Sequence, residues 1–128
     1  MTVVYIVLGA AMLTTLGMMV YAARPWGDNY AYQSATGYLV LLLFMGWALS
    51  PYAALMVSNA WLGGSRGGGW LVFVAALLAT GFGLWVITDA VFIHPDAQGA
   101  LVFVVLPLYQ WLIVGLVLAL GLWMGRRR

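Results

Sequence analysis

Four long stretches of apolar residues fill nearly the whole chain, and short polar segments separate them. The stretches cover about residues 3–23, 36–62, 70–93 and 100–124. Each one reaches the roughly 20 residues that an α-helix needs to cross a hydrocarbon core of about 30 Å. The pattern therefore predicts an all-α polytopic membrane protein, a bundle of four transmembrane helices that forms a single domain over residues 1–128.

Proline and glycine mark the ends of these helices and two points inside them. Pro25 follows the first helix, and a Gly-rich segment over residues 63–69 predicts a flexible turn after the second. Pro51 and Pro107 lie within the second and fourth helices, where we expect kinks. Each proline frees a carbonyl one turn earlier, here that of Trp47 or Phe103, so a neighbouring hydroxyl, amide or water has to donate to it.

Composition agrees with a bilayer environment and argues against catalysis. The chain is 66% hydrophobic and 6% charged, too little polar surface to cover a core of this size in water. It has no Cys, no Lys, no Glu and a single His, so the side chains that usually act as nucleophiles and bases are nearly missing. We therefore expect no enzyme activity and no cofactor, and a partner among lipids or membrane proteins, with no nucleic acid.

The distribution of Arg predicts the orientation. Arg66 follows the second helix and Arg126, Arg127 and Arg128 follow the fourth, whereas Arg24 alone follows the first. Short cytoplasmic loops carry an excess of Arg and Lys. We expect both termini to be cytoplasmic, in a membrane of the bacterial inner-membrane type.

Asp89 is the most costly side chain in the predicted helices, about one turn below the outer end of the third. A charged side chain at the bilayer centre costs roughly 2.5 to 3.5 kcal/mol on insertion scales, and less near the interface. We expect it to pair with Arg24, which lies at a similar depth. An alternative makes Asp89 an outward-facing proton or cation site, with Gln110 and the two predicted kinks along the route; a third leaves the carboxylate solvated.

The break between the third and fourth helices contains His94 and Asp96 on either side of a proline. The simplest interpretation is a tight turn in which Asp96 caps the fourth helix. With Asp28 from the first connection, the same residues are candidate ligands for a divalent metal, although the spacing matches no known ligand motif.

Aromatic and polar side chains near mid-membrane have two interpretations. Trp47, Tyr52, Tyr109 and Trp111 are candidates for the wall of a pocket for a flat apolar ligand such as a quinone or a lipid, but aromatic residues at helical spacing more often pack in a core. Gln110, like the hydroxyl residues near it, more often joins helices by hydrogen bonds than lines a path.

Small residues recur at helical spacing in the third and fourth helices. The set is Ala75, Ala79 and Gly83 in the third helix and Gly115, Ala119, Gly121 and Gly125 in the fourth. Such stripes let helices in a bilayer approach closely. The leading hypothesis is a non-catalytic membrane subunit that packs against copies of itself or a larger assembly, and the alternatives are a small transporter or channel and an apolar-ligand binder.

Overall fold

The computed structural model describes residues 2–27, 33–95 and 99–126, and four long helices account for most of them. The elements are α1 (Thr2–Ala23), α2 (Ala35–Leu62), α3 (Arg66–Thr88) continued by a π-helix (Asp89–Ile93), a 3₁₀ turn (Gly99–Leu101) and α4 (Val102–Arg126). Each long helix is apolar enough to span a membrane. The predicted all-helical class is confirmed, with four long apolar helices that could span a membrane.

Serine caps define the starts of α2 and α3. Ser34 Oγ accepts from the Gly37 N–H at 3.3 Å, and Ser65 Oγ accepts from the Gly68 N–H at 3.1 Å. These bonds satisfy N–H groups that have no acceptor within the helix. The predicted start of the third helix at residue 70 is therefore wrong, because the cap begins α3 at Arg66 and leaves only residues 63–65 as the connection.

Glycine is required where this connection turns back on itself. A Cβ at Gly68 would collide with the carbonyl oxygen of Leu62 and would come within 2.7 Å of Ser65 Oγ. Both Gly68 and Gly69 are buried inside the first turn of α3. The glycines that predict a flexible turn thus allow a close approach of α2 to α3.

The helices pack with α2 and α3 at the centre. These two contact each other and both of the remaining helices, whereas α1 and α4 are not among the closely packed pairs of described elements. Hydrogen bonds join α2 to α4 at sequence separations of 57, 58 and 61 residues. A nearly constant separation means that α2 and α4 run parallel.

Contacts between helix termini define the two ends of the bundle. A Cβ at Gly67 would lie 2.6 Å from Met124 Cε, and one at Gly121 would lie 2.5 Å from Leu62 Cδ1. The end of α2, the start of α3 and the end of α4 therefore meet at one end, called here the Arg66 end. At the other, called the Asp89 end, the rings of Tyr21 and Phe92 stack with centroids 5.1 Å apart.

Small residues on α3 face the interior of the bundle. Ala75, Ala79 and Gly83 are all buried, and Ala79 has no exposed surface. On α4 the set divides, since Gly121 is buried against α2 whereas Gly115 and Ala119 are exposed. The small residues of α4 therefore provide both an internal contact and an open outer face.

The outer surface of the bundle is apolar on every side that the structure describes. Only 22% to 33% of the most hydrophobic window of each helix is buried, and exposed side chains such as Leu13, Leu43, Leu78 and Leu112 point away from the bundle. So much exposed apolar surface is compatible with lipid as the surrounding solvent.

Candidate functional site

A buried polar cluster joins three helices in the middle of the bundle. Gln110 of α4 is 1% exposed, and its Nε2 donates to the hydroxyl oxygen of Tyr52 in α2 at 2.9 Å and to the carbonyl oxygen of Ala79 in α3 at 3.1 Å. These two bonds use both hydrogens of the amide. We call Thr15, Tyr52, Gly83 and Gln110 the polar centre; Thr15 brings α1 to the same place.

Gly83 provides the space for these bonds. A Cβ at this position would lie 2.5 Å from Gln110 Nε2 and 2.7 Å from the Tyr52 hydroxyl oxygen. Any other residue here would displace both side chains. The sequence indicates a small-residue stripe at Gly83 but gives no sign that its neighbours are polar.

The space inside the polar centre is closed. The gap lined by Thr15, Tyr52, Pro107 and Gln110 has no room for a water molecule. In this conformation the amide of Gln110 joins helices, as the more common interpretation of a buried Gln predicts. The prediction that Gln110 lines a transport route would require the polar centre to open.

A second group of hydrogen bonds surrounds the helix prolines. Ser50 Oγ donates to the Trp47 carbonyl oxygen at 2.7 Å, which is the carbonyl freed by Pro51. The expectation that a nearby hydroxyl satisfies it is confirmed. Trp47 Nε1 donates across to the Val104 carbonyl oxygen at 3.0 Å, and Trp111 Nε1 donates back to Ser50 Oγ at 3.0 Å.

The four aromatic residues predicted to wall an apolar pocket lie in different settings. Tyr52 belongs to the polar centre, and the indoles of Trp47 and Trp111 tie α2 to α4. Tyr109 is 56% exposed on the outside of α4. The gap at the polar centre includes Tyr52 but none of the other three. The four side chains therefore do not line this gap together, and their role as an apolar pocket stays a prediction.

The outer part of α3 brings Asp89 and His94 together. Asp89 starts the π-helix, whose wider turn is closed by a 2.8 Å bond from the His94 N–H to the Asp89 carbonyl oxygen. The same turn brings the two side chains into contact, with His94 Nδ1 2.9 Å from Asp89 Oδ1. The imidazole is 78% and the carboxylate 43% exposed, so the pair is open to its surroundings. Single π turns in otherwise regular helices occur frequently at functional sites.

The predicted pairing of Asp89 with Arg24 is not formed. Within residues 2–27, 33–95 and 99–126 the one close contact between an acidic and a basic side chain is that of Asp89 with His94. Arg24 leaves α1 in the left-handed region, with φ of 44°, and its guanidinium carbon lies 5.6 Å from the centroid of the Tyr21 ring. The cation is therefore held over an aromatic face, and the π turn supplies Asp89 with a nearer partner.

Of the three predicted metal ligands, the structure describes only His94. Asp28 and Asp96 lie outside the described residues, so their arrangement around His94 stays a prediction. Among the residues that are described, no three metal-binding side chains come together. Asp89 and His94 form the nearest approach to a ligand group, with one oxygen and one nitrogen donor.

Comparisons with protein-family models, curated proteins and solved structures find no match to this chain. The class that the fold defines is a small helical membrane protein with a closed polar centre and an exposed Asp–His pair at one end. Any function has to be argued from these features.

Proposed function

We propose that the protein is a non-catalytic subunit of a bacterial-type inner membrane, with both termini cytoplasmic, that acts by lateral association with copies of itself or with a larger membrane assembly. The interior supports this proposal because Gln110 and the indoles of Trp47 and Trp111 form their hydrogen bonds within the chain. The polar centre is closed to water, and the indoles near the prolines bond across α2 and α4. What remains for interaction is the outer surface.

The observation that carries the proposal is the outer face of α4. Gly115 and Ala119 are both exposed and lie one helical turn apart. No atom of the described residues lies within 4 Å of the position that a Gly115 Cβ would take. Trp111, one turn earlier, is 38% exposed. In a bilayer, small residues at this spacing let another helix approach closely, and an aromatic side chain can pack at its edge. A second helix therefore fits this face.

Cysteine cross-linking tests the proposal cleanly because the chain has no Cys of its own. Ala119→Cys should give a disulfide-linked dimer under mild oxidation in native membranes, or should capture a partner subunit. Ala10→Cys is the matched control, since Ala10 is exposed on α1 at a similar distance from the Arg66 end. Equal cross-linking of the two variants, or a lone monomer in mild detergent, would contradict association through α4.

The orientation is proposed on the distribution of charge. Arg66 and the last residue of α4, Arg126, lie at one end of the bundle, and Arg24 follows α1 at the other. The positive-inside tendency places the Arg66 end in the cytoplasm. Labelling Ser65→Cys and Gly27→Cys in intact cells with a membrane-impermeant maleimide should modify only the second; the opposite pattern would reverse the topology.

A second candidate function is supported by the Asp89 and His94 pair. An exposed carboxylate and imidazole beside a π turn suit a site for protons, cations or a small solute at the mouth of a transporter or channel. In liposomes, wild-type protein should then carry a proton or cation flux that Asp89→Asn abolishes. Equal flux from both proteins, or none from either, would exclude this candidate.

A further inference from the structure

The Arg66 end of the bundle concentrates positive charge. Arg66 starts α3 there, and α4 ends there with Arg126, which Arg127 and Arg128 follow in the sequence. All three acidic residues belong elsewhere: Asp89 lies at the opposite end, and Asp28 and Asp96 fall in the α1–α2 and α3–α4 connections. Among the described residues, Arg66 and Arg126 therefore lie at this end and Asp89 lies at the other, and two further Arg follow Arg126 in the sequence.

The segments that bear these residues touch each other. The Gly67 backbone faces Met124, close enough that a Cβ would lie 2.6 Å from Met124 Cε. Arg66 directly precedes Gly67, and Arg126 comes two residues after Met124. Arg66 is exposed and forms no ion pair within the described parts of the chain. Its guanidinium is thus available to an anion from outside the protein.

Exposed indoles mark the same end as a membrane interface. Trp61 at the end of α2, Trp70 near the start of α3 and Trp123 near the end of α4 are 76%, 62% and 52% exposed. Trp side chains prefer the headgroup level of a bilayer, where one part of the ring meets acyl chains and the N–H meets polar groups. Lipid headgroups are therefore the anions nearest to Arg66.

We propose that the Arg66 end binds the phosphodiester of an anionic phospholipid. A guanidinium offers paired N–H donors that match two phosphate oxygens. The Arg at the end of α4 add electrostatic attraction for a lipid of net negative charge, which a zwitterionic lipid lacks. The partner is a lipid of net negative charge, such as phosphatidylglycerol. This binding is independent of whether α4 associates with another helix.

The test is native mass spectrometry of the purified full chain with phosphatidylglycerol or phosphatidylcholine of identical acyl chains. Wild-type protein should bind phosphatidylglycerol more tightly. Arg66→Gln should weaken that binding about fivefold, the effect expected for one Arg near an anionic surface. Arg24→Gln is the control, because it removes the same charge at the Asp89 end and should change nothing.

A second variant protects the test against misfolding. This variant replaces Arg126, Arg127 and Arg128 by Gln, at the last residue of α4 and the two that follow it in the sequence. It should weaken phosphatidylglycerol binding by more than Arg66→Gln does, because it removes three charges. Circular dichroism should show unchanged helix content in each variant used. Similar affinity for the two lipids, or equal phosphatidylglycerol affinity of wild type, Arg66→Gln and the triple variant, would overturn the proposal.

Discussion

Replacing Gly83 by Ala is the sharpest test of the polar centre. The added methyl carbon would lie 2.5 Å from Gln110 Nε2 and 2.7 Å from the Tyr52 hydroxyl oxygen, so both side chains have to move. Their movement breaks the bonds from Gln110 to Tyr52 and to the Ala79 carbonyl oxygen. Hydrogen bonds between membrane helices contribute about 0.6 kcal/mol on average and about 1.7 kcal/mol at most, so the two together contribute about 1 to 3 kcal/mol.

The comparison with Gly81→Ala isolates this effect. Gly81 lies two residues earlier in α3 and is exposed, and no described atom lies within 4 Å of the position that its Cβ would take. Any gain from the higher helix propensity of Ala is common to both variants and cancels. Overpacking of a buried site adds about 1 to 3 kcal/mol to the cost at Gly83. We therefore expect Gly83→Ala to be less stable than Gly81→Ala by about 2 kcal/mol or more.

The assay is unfolding of the purified protein by sodium dodecyl sulfate in mixed micelles, followed by circular dichroism. Introducing Gly83→Ala into a Tyr52→Phe, Gln110→Ala background should cost much less than in the wild type, because the two polar groups that it displaces are gone. Equal free energies of unfolding for Gly83→Ala and Gly81→Ala would refute the polar centre as described.

Three further substitutions test separate contacts in the same unfolding assay. Gly121→Ala should destabilise the protein by about 1 to 3 kcal/mol, because the new Cβ would lie 2.5 and 2.9 Å from the methyl carbons of Leu62. Adding Leu62→Ala should remove this clash, and a double variant without any recovery would contradict the contact. Thr80→Val should be neutral or stabilising by up to about 1 kcal/mol, because the buried Thr80 hydroxyl has no hydrogen-bond partner among the described residues. A clear loss of stability would reveal such a partner. Trp111→Phe should cost about 0.6 kcal/mol by removing the bond to Ser50, and an unchanged free energy would show that this bond contributes nothing.

The number of helices follows from the sequence because lipid imposes a minimum apolar length on each crossing. The start of α3 did not follow, since the glycines at residues 67–69 lower helix propensity and resemble a loop. What decides that start is the Ser65 cap and the close approach of Gly68 to the Leu62 carbonyl oxygen. Both depend on the path of the chain between α2 and α3, and a hydropathy pattern does not specify that path.

The partner of Asp89 illustrates a second limit. Depth in the membrane makes Arg24 a reasonable partner, and depth can be read from the sequence. The actual pair depends on the π turn, which places His94 beside Asp89, and on the left-handed backbone of Arg24, whose cation lies over Tyr21. One extra residue in a helical turn changes which side chains meet, and the residue types of this segment do not predict a π turn.

Three side-chain hydrogen bonds join α2 to α4, the two helices that contain Pro51 and Pro107. A proline within a membrane helix leaves a carbonyl without its helical donor, and Ser50 Oγ donates to the carbonyl that Pro51 frees. Around Pro51 and Pro107 the chain places Ser50, Trp47 and Trp111, and their bonds run both within α2 and across to α4. A slip of α4 by one turn would break both crossing indole bonds and the Gln110–Tyr52 bond together, because all three require nearly the same sequence separation. These three bonds therefore fix the register of α2 against α4.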